Sequence, residues 1–90
     1  MGVLHTTDAV TLWMIEGRPA RMVWQGRRYI VTDRPTPLLG EPVLHDALTH
    51  PLTPQRGWRF QVRCATDPTD VRVVDVVRAG EQWELLAAYE

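Results

Sequence analysis

The chain contains no lysine, no serine and no asparagine, so all ten of its basic residues are arginine. These absences remove a serine nucleophile, a Schiff-base or phosphate-binding lysine, and an asparagine to orient a catalytic histidine. A single cysteine, Cys64, excludes an intramolecular disulfide framework and fits a reducing compartment. The longest apolar runs are far too short to span a bilayer, and no charged-then-apolar leader precedes the first strand-like run. The expected location is therefore the cytoplasm, with no membrane partner. Met1-Gly2-Val3-Leu4-His5-Thr6 formally fits an N-myristoylation pattern, but so short a match recurs by chance. The exclusive use of arginine, with abundant Val, Ala, Pro and Asp, has the character of codon bias in a high-GC bacterial genome.

What is present points to one folded domain. Ninety residues leave no room for a second core, and an apolar fraction of 44% argues against intrinsic disorder. Val10, Leu12 and Met14 alternate with Thr11, Trp13 and Ile15, the period-2 signature of a strand. Ala20 to Trp24 and Arg27 to Thr32 flank Gln25-Gly26, which marks a tight hairpin. Pairing Trp24 with Arg27 sets Met22 opposite Tyr29 and Ala20 opposite Val31. Met22, Trp24, Tyr29 and Val31 then share one face, and Arg21 and Arg28 the other. Trp58, Phe60, Val62 and Cys64 alternate with Arg59, Gln61 and Arg63. The run Val71 to Val77 is apolar on both parities, as in a strand covered on both faces. Trp83, Leu85, Ala87 and Tyr89 form a last alternating strand. The expected fold is mainly β, about six short antiparallel strands in a small barrel or curled sheet, since closure removes exposed edges.

Residues 33–57 carry five prolines (Pro35, Pro37, Pro42, Pro51, Pro54) and read as one long loop. Pro42 suits a first helical position, and Val43, Leu44, Ala47 and Leu48 make the apolar stripe of a short helix ending before Pro51. His45-Asp46 and His50 form the densest cluster of reactive groups. Five residues apart, the two histidines diverge by about 140° on a helix, so the reading is a solvated loop rather than a metal or acid/base site. Cys64 falls on the inward parity, where a buried thiol has a raised pKa and is inert. No catalytic residue, cofactor or metal site is expected.

The arginines and one tryptophan are the remaining candidates. Residues 17–34 hold Arg18, Arg21, Arg27, Arg28 and Arg34 against Asp33 alone, while Asp67, Asp70, Asp75, Glu81, Glu84 and Glu90 lie elsewhere. One face can therefore be basic although the whole chain is −1. Arg59, Arg63, Arg72 and Arg78 project from neighbouring strands. An arginine-rich sheet with exposed aromatics binds single-stranded nucleic acid, here through Arg21, Arg28, Arg59 and Arg63. Trp24, Trp58 and Trp83 lie on the inward parity. Trp13 competes with Leu12 and Met14 for the inside; if exposed beside Ile15, it makes an apolar patch for a protein partner or for self-association. The leading expectation is a non-enzymatic interaction module binding a protein through Trp13, Ile15, Leu44 and Leu48. Nucleic-acid binding is the alternative.

The run Gly17-Arg18-Pro19-Ala20-Arg21-Met22-Val23-Trp24-Gln25-Gly26-Arg27-Arg28-Tyr29-Ile30-Val31 resembles a family of small uncharacterised domains common in actinobacteria, whose members carry G-R-P-x-R-F-x-W-R-G-R-x-Y-x-V. Gly57-Trp58-Arg59-Phe60-Gln61-Val62-Arg63 and Gly80-Glu81-Gln82-Trp83-Glu84-Leu85, with Tyr89-Glu90, are similar to two later strands of that family. Met22 stands where the family favours Phe, and the proline-rich loop replaces a tryptophan-bearing helix. Members occur alone or appended to proteins resembling Y-family DNA polymerases. The resemblance implies a role near DNA-damage tolerance and no catalytic residues.

Overall fold

The computed structural model describes residues 2–39 and 55–90, with Gln55 given by its backbone only, and all regular structure among the described residues is β. The strands are β1 (Val3–Ile15), β2 (Arg18–Trp24), β3 (Arg27–Val31), β4 (Thr36–Leu39), β5 (Gln55–Cys64), β6 (Asp67–Ala79) and β7 (Gln82–Tyr89). Neighbours run β3-β2-β1-β7-β6-β5, all antiparallel, and β3 pairs back onto β5. Six strands thus close into a barrel, and β4 is a seventh strand on the remaining length of β5.

Turn chemistry accounts for the first two hairpins. Gln25 and Gly26 both have positive φ (53° and 75°), and Glu16 and Gly17 repeat the pattern (52° and 77°). Two successive left-handed residues make the turn whose twist matches that of the flanking strands, and the second position favours glycine. The β2–β3 register is the expected one, Trp24 opposite Arg27 and Met22 opposite Tyr29.

Alternation then fills the interior. Phe60, Val62, Val74, Val76 and Leu85 are fully buried, with Met22, Trp24, Tyr29 and Cys64 beside them. Cys64 is 1% exposed, its Sγ 3.5 Å from the Thr66 hydroxyl. That hydrogen bond lowers the thiol pKa against the opposing effect of burial. Burial, not a raised pKa, is thus what shields this cysteine. The outward parity of β6 is buried only at Asp75 and Val77, while Val71 is exposed, so the strand is covered on both faces along part of its length rather than throughout.

The proline-rich stretch is not loop from end to end: Thr36–Leu39 is β4, and Gln55 to Gly57 begins β5. Between β3 and β4 the chain bends without leaving β5. Thr32 N–H donates to the Gln61 carbonyl (2.9 Å), and the Asp33 carboxylate accepts the Gln61 N–H (2.8 Å). A side chain therefore continues the ladder where the backbone turns away. The expected short helix, with Leu44 and Leu48 on it and His45, Asp46 and His50 along it, lies outside the described residues.

Gly57 sits inside β5, paired with Leu38 on one side and Val77 on the other. A Cβ at this position would overlap the Val76 carbonyl oxygen. Gly57→Ala is expected to lower stability by about 1–3 kcal/mol, the usual cost of forcing atoms into packed space. Urea unfolding checks this as a lower midpoint with unchanged slope.

Candidate functional site

Strand register assembles a row of outward side chains from distant parts of the chain. Trp13 pairs with Arg21, Arg21 with Ile30, and Ile30 with Arg63, across β1, β2, β3 and β5. The row reads apolar, cationic, apolar, cationic, at an interstrand spacing of about 4.8 Å. A second row beside it holds Thr11, Val23 and Arg28.

Part of this surface is concave. Trp13, Ile15, Arg21, Val23, Arg28 and Ile30 line a groove of about 890 Å3 that includes no acidic side chain among the described residues. Trp13 is 50% exposed, Ile15 63% and Ile30 38%, an unusual concentration of large apolar side chains in water. Beside them the β1–β2 register shifts between Trp13 and Met14, and the extra residue is Ala20 in β2. This bulge leaves Ala20 unpaired, while β1 runs on without an extra residue. Val10 remains buried and Leu12 half-buried, whereas Met14 joins Trp13 and Ile15 outside. Met14 pairs with the buried Pro19, so its exposure follows from its place one residue from the end of β1 and not from a change of face.

Three polar clusters engage the nearby acids elsewhere. On the outside of β5, β6 and β7, Arg59 donates from Nε and Nη2 to the two oxygens of Asp75 (2.7 and 2.9 Å), and Tyr89 O–H donates to the same carboxylate (3.0 Å). Asp75 is 8% exposed, and its hydrogen bonds and charge raise the Arg59 pKa above its ordinary value. At one end of the barrel Asp70 accepts from Arg27 (3.1 Å), Tyr29 (3.2 Å) and Arg72 (2.8 Å). Burial, then the Asp70 charge, pushes the Tyr29 hydroxyl pKa up. Arg72 does not project outward as expected: it stands opposite Val62 on the inward parity, its guanidinium over the Trp24 ring. Asp8 accepts from Trp24 Nε1 (3.0 Å), which with the Thr6 hydroxyl holds its carboxyl below the usual 3.8.

The arginines therefore separate into two kinds. Arg27, Arg59 and Arg72 have acid partners, and Arg78 lies over Trp83. Arg21, Arg28 and Arg63 have no acid within ion-pair distance among the described residues. Of the four arginines named as nucleic-acid contacts, three thus share the Trp13 surface, while Arg59 is held by Asp75. Trp13 and Ile15 of the expected protein interface lie together at the groove; Leu44 and Leu48 fall outside the described residues. The sequence does not single out Ile30 and Val23, because strand periodicity marks them as outward without saying that they border Trp13. Among the described residues no group of three His, Cys, Asp or Glu is placed to hold a metal ion. No described helix is long and apolar enough to cross a membrane.

The division of the arginines has a measurable consequence. Arg59→Ala leaves Asp75 with the Tyr89 hydroxyl alone and is expected to cost about 1–2 kcal/mol, a charged hydrogen-bond pair discounted for a half-exposed guanidinium. Arg63→Ala should stay within about 0.5 kcal/mol of the parent, and urea midpoints of the two variants give the comparison. Acid titration tests the Asp8 latch. Because the folded pKa of Asp8 is depressed, its contribution is present above pH 3.8 and is lost as pH falls through the lower folded value. The Trp24 indole N–H resonance should therefore shift with a midpoint below 3.8, and Asp8→Asn should remove that shift. Comparison of the chain with protein-family models, with curated proteins and with solved structures gave no match, so its function is read from the groove itself.

Proposed function

We propose that this chain is a non-enzymatic interaction module that docks a protein partner through the groove between Trp13 and Ile30. The observation that carries this reading is the contiguous exposure of Trp13, Met14, Ile15 and Ile30 along one concavity. Apolar side chains concentrated in this way gain by burial against another protein, at about 25 cal/mol per Å2 removed from water. A single large aromatic at the centre of such a patch is the usual anchor of a protein interface. On the resemblance of the Gly17–Val31 hairpin, the partner is to be sought among proteins of DNA-damage tolerance.

Single-stranded nucleic acid is the second reading, favoured by one observation: Arg21, Arg28 and Arg63 stand around Trp13 without acid partners among the described residues. It requires affinity for a labelled oligonucleotide that falls steeply with salt. No binding at about 50 mM salt removes it.

The docking reading is tested by affinity capture from an extract of the source cells. The parent chain is expected to retain a protein in stoichiometric amount, and Trp13→Ala combined with Ile30→Asp to lose it while keeping the parent's far-ultraviolet dichroism. Equal retention by both chains overturns the proposal.

A further inference from the structure

We infer that the groove takes an acidic amphipathic peptide segment of its partner, with apolar side chains between Trp13 and Ile30 and carboxylates on Arg21 and Arg28. This rests on reading the groove as a protein-docking site and adds the chemistry of what docks there.

Charge complementarity is the first argument. The groove holds two guanidinium groups and no acid among the described residues. Three acids of the barrel are engaged elsewhere, Asp70 with Arg27 and Arg72, Asp75 with Arg59, and Asp8 with Trp24, and Glu16 in the β1–β2 turn forms no ion pair with Arg21 or Arg28. In the free chain water solvates Arg21 and Arg28. A partner that covers Trp13 and Ile30 also removes that water, because Arg21 stands between them in the register. A desolvated cation without a counter-charge is strongly unfavourable. The covering segment must therefore bring anions of its own, and guanidinium groups bind carboxylates in a two-point geometry.

The second argument concerns which anion. Phosphates of a single-stranded nucleic acid would meet the arginines, but its bases need aromatic platforms. The groove offers Trp13 as its exposed aromatic, since Tyr29, which also lines it, is 2% exposed; the accessible apolar lining is otherwise Met14, Ile15, Val23 and Ile30. The whole chain, at −1, also lacks the strong positive charge of a dedicated nucleic-acid binder. Aliphatic walls alternating with guanidinium groups match a peptide that alternates apolar and acidic side chains.

Selection from a displayed library of random peptides about 16 residues long, against the intact chain, tests this. Enriched peptides are expected to carry two or more Asp or Glu around aromatic or aliphatic residues. A synthetic copy of an enriched peptide, followed by fluorescence anisotropy, should lose about tenfold in affinity with Trp13→Ala. It should lose at least as much with Arg21→Glu plus Arg28→Glu, and a peptide with its acids changed to Lys should regain binding to that double variant. Unchanged urea midpoints would confirm that the variants fold. Neutral or basic peptides that still need Trp13 overturn the inference and leave the docking reading standing. Peptides indifferent to Trp13, or no enrichment at all, overturn both. Tighter binding of an oligothymidylate about 20 nucleotides long than of any selected peptide also overturns the inference and assigns the groove to nucleic acid.

Discussion

Three residue pairs close this molecule. Tyr29 with Cys64, Ile30 with Arg63 and Val31 with Val62 join β3 to β5, elements more than thirty positions apart in the chain. Without them the sheet would end at β3 with unpaired backbone groups, an open edge that invites association. With them the sheet has an inside, where Met22, Tyr29, Val62 and Cys64 meet the core, and an outside, where Arg21, Ile30 and Arg63 become neighbours. The core and the groove are thus two faces of one closure. A change that loosened the β3–β5 seam would disturb both.

The distribution of acids decides what the outside can do. Asp70 draws Arg27, Tyr29 and Arg72 together at one barrel end, and Asp75 holds Arg59 and Tyr89 on the far side of β5. In both places a carboxylate with little exposure to water meets several donors, which is the condition for keeping a charge there. The consequence appears elsewhere: Arg21, Arg28 and Arg63 are left with solvent among the described residues. A chain that is nearly neutral overall therefore has a locally cationic surface, made by where its acids are bound rather than by an excess of arginine.

Alternation along β1 contributes the apolar half of that surface. With Val10 buried and Leu12 half-buried, Trp13 and Ile15 face outward, and Met14 near the strand end is exposed between them beside the β2–β3 hairpin. Such exposure gains the fold nothing, since these side chains would be more stable buried. A tryptophan exposed next to guanidinium groups without acid partners among the described residues is the kind of local conflict that binding surfaces show.

By itself the sequence determined a mainly β fold, the register of the β2–β3 hairpin, the inward Trp24, Phe60, Val62 and Cys64, and the outward Arg21 and Arg28. All of these follow from local information: a period of two, a glycine at a turn, and one cysteine among apolar neighbours. The tertiary structure alone decided that β3 meets β5, that Arg59 is bound to Asp75 while Arg63 has no acid partner among the described residues, that Arg72 turns inward over Trp24, and that Trp13 lies outside. It also turned part of the proline-rich stretch into β4. The physical reason is common to these cases. Alternation tells which face of a strand a side chain occupies, but not which strand lies next to it or where a bulge resets the count. A salt bridge, a groove and a barrel seam are relations between strands, and only the packed sheet defines them.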